Sequence, residues 1–410
     1  MENSKNARIL VITNFLLLLI FPLAQGASAA EYKVRFISFA DIKPSGSNLT
    51  VCWGGLGIDQ QQRVYFAVSD QNDVNPDDTV IFRYNTKTED RQLLGTLRGI
   101  SAAAGNLGPE ESIGKVHVAI MEYKGKMYFS SHDYHDIKPD YSDMYQRRGG
   151  HFYAFDLKTE TFEDLSATDN HGVSVLYQGI IAMDILRQHD KLAGFTFPYG
   201  DVLIYDLKKR RTTFYPGVPE YRRKNVSREI WATKKGKVYF SYHTPDFWLW
   251  ELDVKSGAMQ RTQQRNILSD GFLHGLAATR DGNTVYLLTN RGGNLYSFDV
   301  EAERLKDLGS LLPPEEIAQG QSIQFVFGLI LSQDEKKLYT LPCRFADGNV
   351  PTLYEYDIET GDKTQLARFP SLTGGTVTGT NAIDDRGRLY FGYHTYDEGE
   401  SARLIQIYPE

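Results

Sequence analysis

Cysteine is nearly absent: Cys52 and Cys343 are the only two in 410 residues. That excludes a disulfide-rich scaffold, and the chain has no Cys/His spacing of the zinc-site kind. A glycine-rich phosphate loop is missing as well, which removes the common nucleotide-binding motifs. Basic residues are in deficit, 45 against 52 acidic for a formal charge of −7, so no general affinity for nucleic acid is expected. The apolar run at residues 9–23 is shorter than the eighteen or so residues of a membrane-spanning helix, and Pro22 and Gly26 interrupt its end. Lys5 and Arg8 precede that run and Ala27-Ser28-Ala29 follows it, so residues 1–30 read as a secretory signal peptide. Its removal takes away Glu2, Lys5 and Arg8, moves the formal charge to −8, and predicts a secreted or periplasmic chain without membrane attachment.

What the chain does have is a repeat. A strand of the type Lys-Val-Tyr-Phe occurs at Arg63-Val64-Tyr65-Phe66, Lys126-Met127-Tyr128-Phe129, Lys191-Leu192, Lys237-Val238-Tyr239-Phe240, Thr284-Val285-Tyr286, Lys337-Leu338-Tyr339 and Arg388-Leu389-Tyr390-Phe391. A second strand ending in aromatic-Asp-aliphatic follows, as in Phe155-Asp156-Leu157, Tyr205-Asp206-Leu207, Phe298-Asp299-Val300 and Tyr356-Asp357-Ile358. A period of roughly fifty residues with alternating strands and turn residues predicts an all-β fold, a seven-bladed β-propeller of four-stranded blades. Turns such as Lys255-Ser256-Gly257 and Glu359-Thr360-Gly361 place glycine where positive φ is needed. The last blade is one strand short, and residues 32–39 form an unassigned strand at the mature N-terminus. That strand is expected to complete the blade and close the ring, making residues 31–410 a single domain.

Two segments are expected to be surface loops: residues 93–112, rich in Gly, Ala and Ser, and residues 133–148. The second holds Asp133, Asp136, Asp140 and Asp143, but no glycine sits where a tight calcium loop needs one, so a solvated loop is the reading and a structural cation the alternative. Cys52 and Cys343 fall in blades one and six, which are not neighbours, and are read as free buried thiols, with a disulfide as the alternative. No cofactor is required, and the chain is read as a monomer.

Because strands within a blade are antiparallel, the start of the first strand and the end of the second lie at the same mouth of the channel. Counting by the repeat sets Gly54, His117, Gly179, Arg228, His274, Phe327 and Gly379 in one column there, and Ser69, His132, Phe197, His243, Asn290, Cys343 and His394 in a second. Five of the nine histidines thus converge on one mouth. Tyr242, Tyr393 and Tyr199 stand beside them. Imidazoles, phenols and a guanidinium suit an anionic ligand and proton transfer near neutral pH. His117, His132, Arg228 and His274 come from blades two, four and five, and flank Gly179 of blade three, whose missing side chain is expected to leave space for a ligand. His243 is a further substrate-binding candidate, although taken singly a strand-end residue such as His243 or His394 reads as structural, and so do His151 and His171.

Over most of the mature chain the pattern resembles the seven-bladed propeller polysaccharide lyases, the ulvan lyases in particular. The sharper matches are Lys115-Val116-His117, Ser130-Ser131-His132, Gly149-Gly150-His151, Phe195-Thr196-Phe197-Pro198-Tyr199-Gly200 and Ser227-Arg228. The resemblance implies a His from blade two, a Tyr from blade three, an Arg from blade four and further His around one mouth, acting on an anionic polysaccharide. Where the tyrosine is expected this chain has Phe197, so Tyr199 or Tyr242 takes its place or the activity is changed or lost. The chemistry is coherent: eliminating across a uronic acid means removing the proton next to its carboxylate, whose charge Arg228 can offset through two hydrogen bonds. A neutral His or an activated Tyr takes the proton, and a Tyr or His donates one to the departing oxygen.

Neither column contains the two carboxyl groups a glycoside hydrolase needs, nor the oxygen ligands of a calcium-dependent lactonase. The rival is a non-catalytic secreted propeller that binds a glycan or a partner protein.

Overall fold

The computed structural model describes residues 31–70, 77–109, 111–132, 148–222, 225–243, 248–262, 273–320, 322–342, 344–345, 350–379, 382–395 and 400–410. Residues 31–410 form one unit, a seven-bladed β-propeller of antiparallel sheets. Blade 1 comprises Leu49–Ile58, Arg63–Asp70, Asp78–Asn85 and Arg91–Thr96; blade 2 Met121–Tyr123, Lys126–Ser130, Phe152–Asp156 and Thr161–Asp164; blade 3 Gly179–Leu186, Lys191–Phe197, Val202–Asp206 and Arg211–Tyr215. Blade 4 comprises Trp231–Ala232, Lys237–His243, Leu249–Asp253 and Met259–Arg261; blade 5 Leu273–Ala278, Thr284–Thr289, Asn294–Asp299 and Arg304–Ser310; blade 6 Ile330–Leu331, Lys337–Thr340, Thr352–Asp357 and Lys363–Arg368. Blade 7 takes Thr376–Thr378, Leu389–His394 and Arg403–Pro409 from the end of the chain and Tyr32–Ile37 from its beginning. The register of that closure runs from Tyr32↔Pro409 to Ile37↔Leu404, as the missing strand requires.

The repeated aspartate has a local cause. In five blades the carboxylate after the third strand accepts the backbone N–H groups two and three residues on: Asp253 Oδ1 takes Lys255 N at 3.0 Å and Ser256 N at 2.8 Å, and Asp357 Oδ1 takes Glu359 N at 3.0 Å and Thr360 N at 2.9 Å. Asp156, Asp206 and Asp299 do the same, and Asn85 replaces them in blade 1. Such a turn satisfies donors that would otherwise end the strand unpaired. Its fourth position is left-handed in all six blades, filled by Gly257 and Gly361 but also by Glu89, Glu160, Arg210 and Glu303, so the aspartate carries the turn more than the glycine does.

The apolar core lies between the faces of adjacent blades. Trp231 and Tyr239 of blade 4 pack on Phe298 of blade 5 at 5.3 and 4.8 Å between ring centroids. Around the channel the innermost chains also bond across blades: Ile120 N donates to Leu56 O at 3.0 Å, Arg228 N to Leu273 O at 2.9 Å and Gly328 N to His274 O at 2.8 Å. Such close approach demands small residues. A Cβ on Gly54 would stand 2.2 Å from the carbonyl oxygen of His117.

Residues 93–112 are not merely a loop. They contain the helix Leu97–Ala103, capped by Thr96, whose hydroxyl accepts Gly99 N at 3.1 Å. Seven residues form no stable helix alone; this one is tied down because Leu97 and Ser101 are buried and Ser101 donates to Asp164 at 2.8 Å. The acidic segment 133–147 lies outside the described residues. So does Cys343, while Cys52 is a free thiol.

Candidate functional site

Lys115 and His117 sit on the chain that leads into blade 2, fixed by the bridge in which His132 N donates to Lys115 O at 2.8 Å. Two residues apart in extended backbone, both point to one side. Across the channel, the His117 ring lies parallel to that of His274, with centroids 5.5 Å apart and planes 3° from parallel. Phe327 of blade 6 packs on both, 4.0 Å from His274 and 6.2 Å from His117, and Trp53 of blade 1 stacks on His117 at 6.1 Å. The Lys115 ammonium stands 3.5 Å above the Trp53 ring, a cation–π contact. His132 stacks on Phe197 at 5.9 Å, and the Arg228 guanidinium lies 5.4 Å from that same Phe197 ring. His132 and Arg228 thus meet at Phe197 and His117 and His274 at Phe327, and both Arg228 and His132 lie near enough to act on His117 through their charge.

Burial and charge act together here. The imidazoles of His117 and His274 are buried, and both are held well below the usual histidine range, first by loss of water and then by the positive charges of Lys115 and Arg228. Both rings are therefore neutral at pH 7. Burial also draws the Arg228 guanidinium down to about 10, so it stays charged at pH 7; its Nη1 donates to Val226 O at 2.8 Å. The next residue, Glu229, is pushed up to about 8 by burial and by Asp184, and is largely protonated at neutral pH. Two cations and a set of neutral imidazoles thus share one mouth.

Other expectations fare differently. Gly179 leaves room, but the His132 ring occupies it: a Cβ there would lie 2.7 Å from His132 Cγ. Tyr242 is set apart from the cluster, buried between blades 3 and 4, where its hydroxyl donates to Gly200 O at 2.8 Å and accepts Val218 N at 3.2 Å. Burial raises that phenol further, which leaves it a poor candidate base. Tyr199 lies on the rim, its ring 4.8 Å from the Arg222 guanidinium. His243 pairs with Asn225 in the backbone ladder, and its side chain lies outside the described residues. His394 is buried, 3.5 Å through Nδ1 from Cys52 Sγ, while burial pushes that thiol up to about 12.

Lys115 entered the sequence analysis only as part of the Lys115-Val116-His117 segment and without a role, and Trp53 did not enter it. Their signal was present in the alternation: Lys115 precedes His117 by two, and Trp53 adjoins the column residue Gly54. His151 has a different surrounding. It is buried between two carboxylates, with Nε2 2.9 Å from Glu111 and Nδ1 3.1 Å from Asp164, and these raise it to about 9. Arg148 binds the other oxygen of Glu111 at 2.9 Å. Among the described residues no three His, Cys, Asp or Glu side chains gather as metal ligands.

No protein-family model and no curated protein matches the sequence. Solved structures share the fold. A chain of the mitotic checkpoint complex aligns with a TM-score of 0.55 at 9% identity over 99% of this chain and 100% of that one. The extracellular domain of a candidate one-component system from B. thetaiotaomicron aligns at 0.52 and 12% over 92% and 40%. A candidate 6-phosphogluconolactonase from Bacteroides fragilis aligns at 0.50 and 13% over 90% and 93%. Identities this low establish the class, a seven-bladed propeller, and the fold alone.

Proposed function

We propose that this chain is a secreted polysaccharide lyase that binds a uronic-acid-containing, sulfated polysaccharide at the channel mouth and cleaves it by β-elimination. The observation that carries the reading is the parallel His117–His274 pair kept neutral beside Lys115 and Arg228. A neutral imidazole has a lone pair for a proton, and the positive charges of Lys115 and Arg228 lie close enough to depress both rings. When a carboxylate arrives it offsets those cations, so the imidazole becomes more basic as the substrate binds. Arg228 then stabilises charge that builds on the carboxylate as the adjacent C–H proton leaves for His117. The C–O bond to the departing sugar breaks, a C=C bond forms, and His132, entering the step as the imidazolium, gives its proton to the leaving oxygen and ends neutral. Acid–base assistance of this kind contributes on the order of 10² to 10⁴ in rate.

A second reading, a non-catalytic propeller that binds an anionic glycan, is favoured by Phe197. That ring lies between His132 and Arg228, where the resemblance expects a phenol, and it has no proton to give. One experiment separates the two. The mature protein is incubated with ulvan, glycosaminoglycans, alginate and pectin while ultraviolet absorbance is followed, because elimination creates a double bond conjugated to the carboxylate. Rising absorbance that His117→Ala abolishes supports the lyase. Binding with flat absorbance across the panel supports the second reading and overturns the first.

A further inference from the structure

Blade 3 presents a second group of side chains outside the channel, and a single buried carboxylate organises it. Asp201 is sealed from solvent; its Oδ1 accepts Gly217 N at 2.6 Å and its Oδ2 accepts Gln178 Nε2 at 2.6 Å. The same Oδ1 reaches Arg222 Nη2 at 3.3 Å, the longest of these contacts, so Asp201 positions the guanidinium while its charge is shared with stronger donors. The Arg222 side chain is 40% exposed. It lies over Tyr199, and a planar cation stacked on a ring keeps its donors in its own plane, open to a further acceptor.

Two observations make this more than a surface pair. First, Tyr199 follows Phe197 by two residues, so its Cα lies within about 7 Å of the residue that contacts both His132 and Arg228. Second, Tyr177 is one of three large apolar side chains that the described residues expose, and it does so at φ +61°, a conformation a tyrosine rarely adopts. It adjoins Gln178, whose side chain donates to Asp201, the same carboxylate that positions Arg222. Strain that presents an aromatic face to solvent beside a site is a pointer to function.

We infer that Tyr199 and Arg222, flanked by Tyr177, form a rim subsite for a further anionic sugar of the same polymer, outside the two units that flank the scissile bond in the channel. The rings supply faces for a pyranose and Arg222 pairs with its carboxylate or sulfate. This rests on the channel mouth being an anionic-glycan site, and it assigns Tyr199 a binding role in place of a proton-transfer one. The ligand is then a polymer recognised over at least two charged units, not a free uronic acid.

The test measures binding of labelled ulvan fragments of two and six sugars to the mature protein carrying His117→Ala, which stops turnover. Adding Arg222→Gln, which keeps a hydrogen bond to Asp201, or Tyr199→Leu is expected to weaken the six-sugar fragment about tenfold, the worth of one good charge-assisted contact. The two-sugar fragment is expected to bind as before. Equal weakening of both lengths, or of neither, overturns the rim subsite. Arg228→Ala serves as the separate control on the channel: if it leaves two-sugar binding unaltered, the channel reading fails irrespective of the rim. If neither fragment binds the parent protein, both readings fall.

Discussion

His117 and His151 are both buried at blade 2, yet their surroundings leave one neutral and the other charged. His117 faces another imidazole, an ammonium and a guanidinium, and loses its proton; His151 is clasped by Glu111 and Asp164 and keeps it. Burial alone disfavours the charged form in both cases. The partners decide. Where the partners are carboxylates the ring is a fully engaged structural cation, joining the segment before blade 2 to the turn after its last strand. Where the partners are cations, the ring is neutral and positive charge gathers beside it, which suits an anion.

The comparison breaks most severely at His151. Replacing it with alanine leaves two carboxylates buried against each other, and the expected loss is about 3 to 5 kcal/mol of unfolding free energy, read from urea midpoints. His274→Phe in the channel is expected to cost under about 1 kcal/mol, because it removes a group already neutral and adds apolar packing against Phe327. A large loss for His274→Phe and a small one for His151→Ala would reverse the assignment.

Arg228→Ala tests the other half. With a lyase substrate in hand, kcat is expected to fall by about 10² to 10³ with a smaller change in KM, because the charge it offsets grows in the transition state. The Tm is expected to shift little. A fall in KM affinity alone would reduce Arg228 to a binding residue.

The pH dependence of stability carries both signs. His151 is raised in the fold, so its contribution is complete below about 6.5 and is lost as pH rises through about 9, a change on the order of 3 kcal/mol. His117 and His274 are lowered, so their contribution is present above about 6.5 and is lost as pH falls. His151→Leu is expected to flatten the alkaline limb of the stability curve, and His274→Phe the acid limb. Unchanged limbs in both variants would contradict the electrostatic account.

A further variant probes the packing inside the channel itself. Gly179→Ala forces a Cβ to within 2.7 Å of His132 Cγ, and is expected to cost about 1 to 3 kcal/mol and to displace that ring. Loss of activity without loss of substrate binding would mark His132 as the displaced proton donor.

Much of this was legible in the chain because a repeat converts sequence distance into position. The aspartate after each third strand, the closure by residues 32–39 and the meeting of His117 with His274 all follow from counting. Contacts that the count does not set were not legible. Glu111 reaches His151 across 40 residues, and nothing in either stretch announces the other. Tyr242 and Phe197 lie at the ends of neighbouring second strands, but alternation by one residue sends Tyr242 into the blade interface, where its hydroxyl donates to Gly200 O. Gly179 was expected to leave space for a ligand, but the His132 ring occupies it, a packing between blades that the count does not show. The helix at Leu97–Ala103 has too few residues for a period to show, and its stability comes from Ser101 and Asp164.

The most direct test of the central claim is the protonation of individual histidines, by two-bond ¹H–¹⁵N spectra of the mature protein at pH 7. The account predicts neutral rings for His117 and His274, a doubly protonated ring for His151, and a shift of His117 toward the charged form when ulvan fragments are added, with His151 unmoved. A charged His117 in the free protein, or a neutral His151, would contradict it.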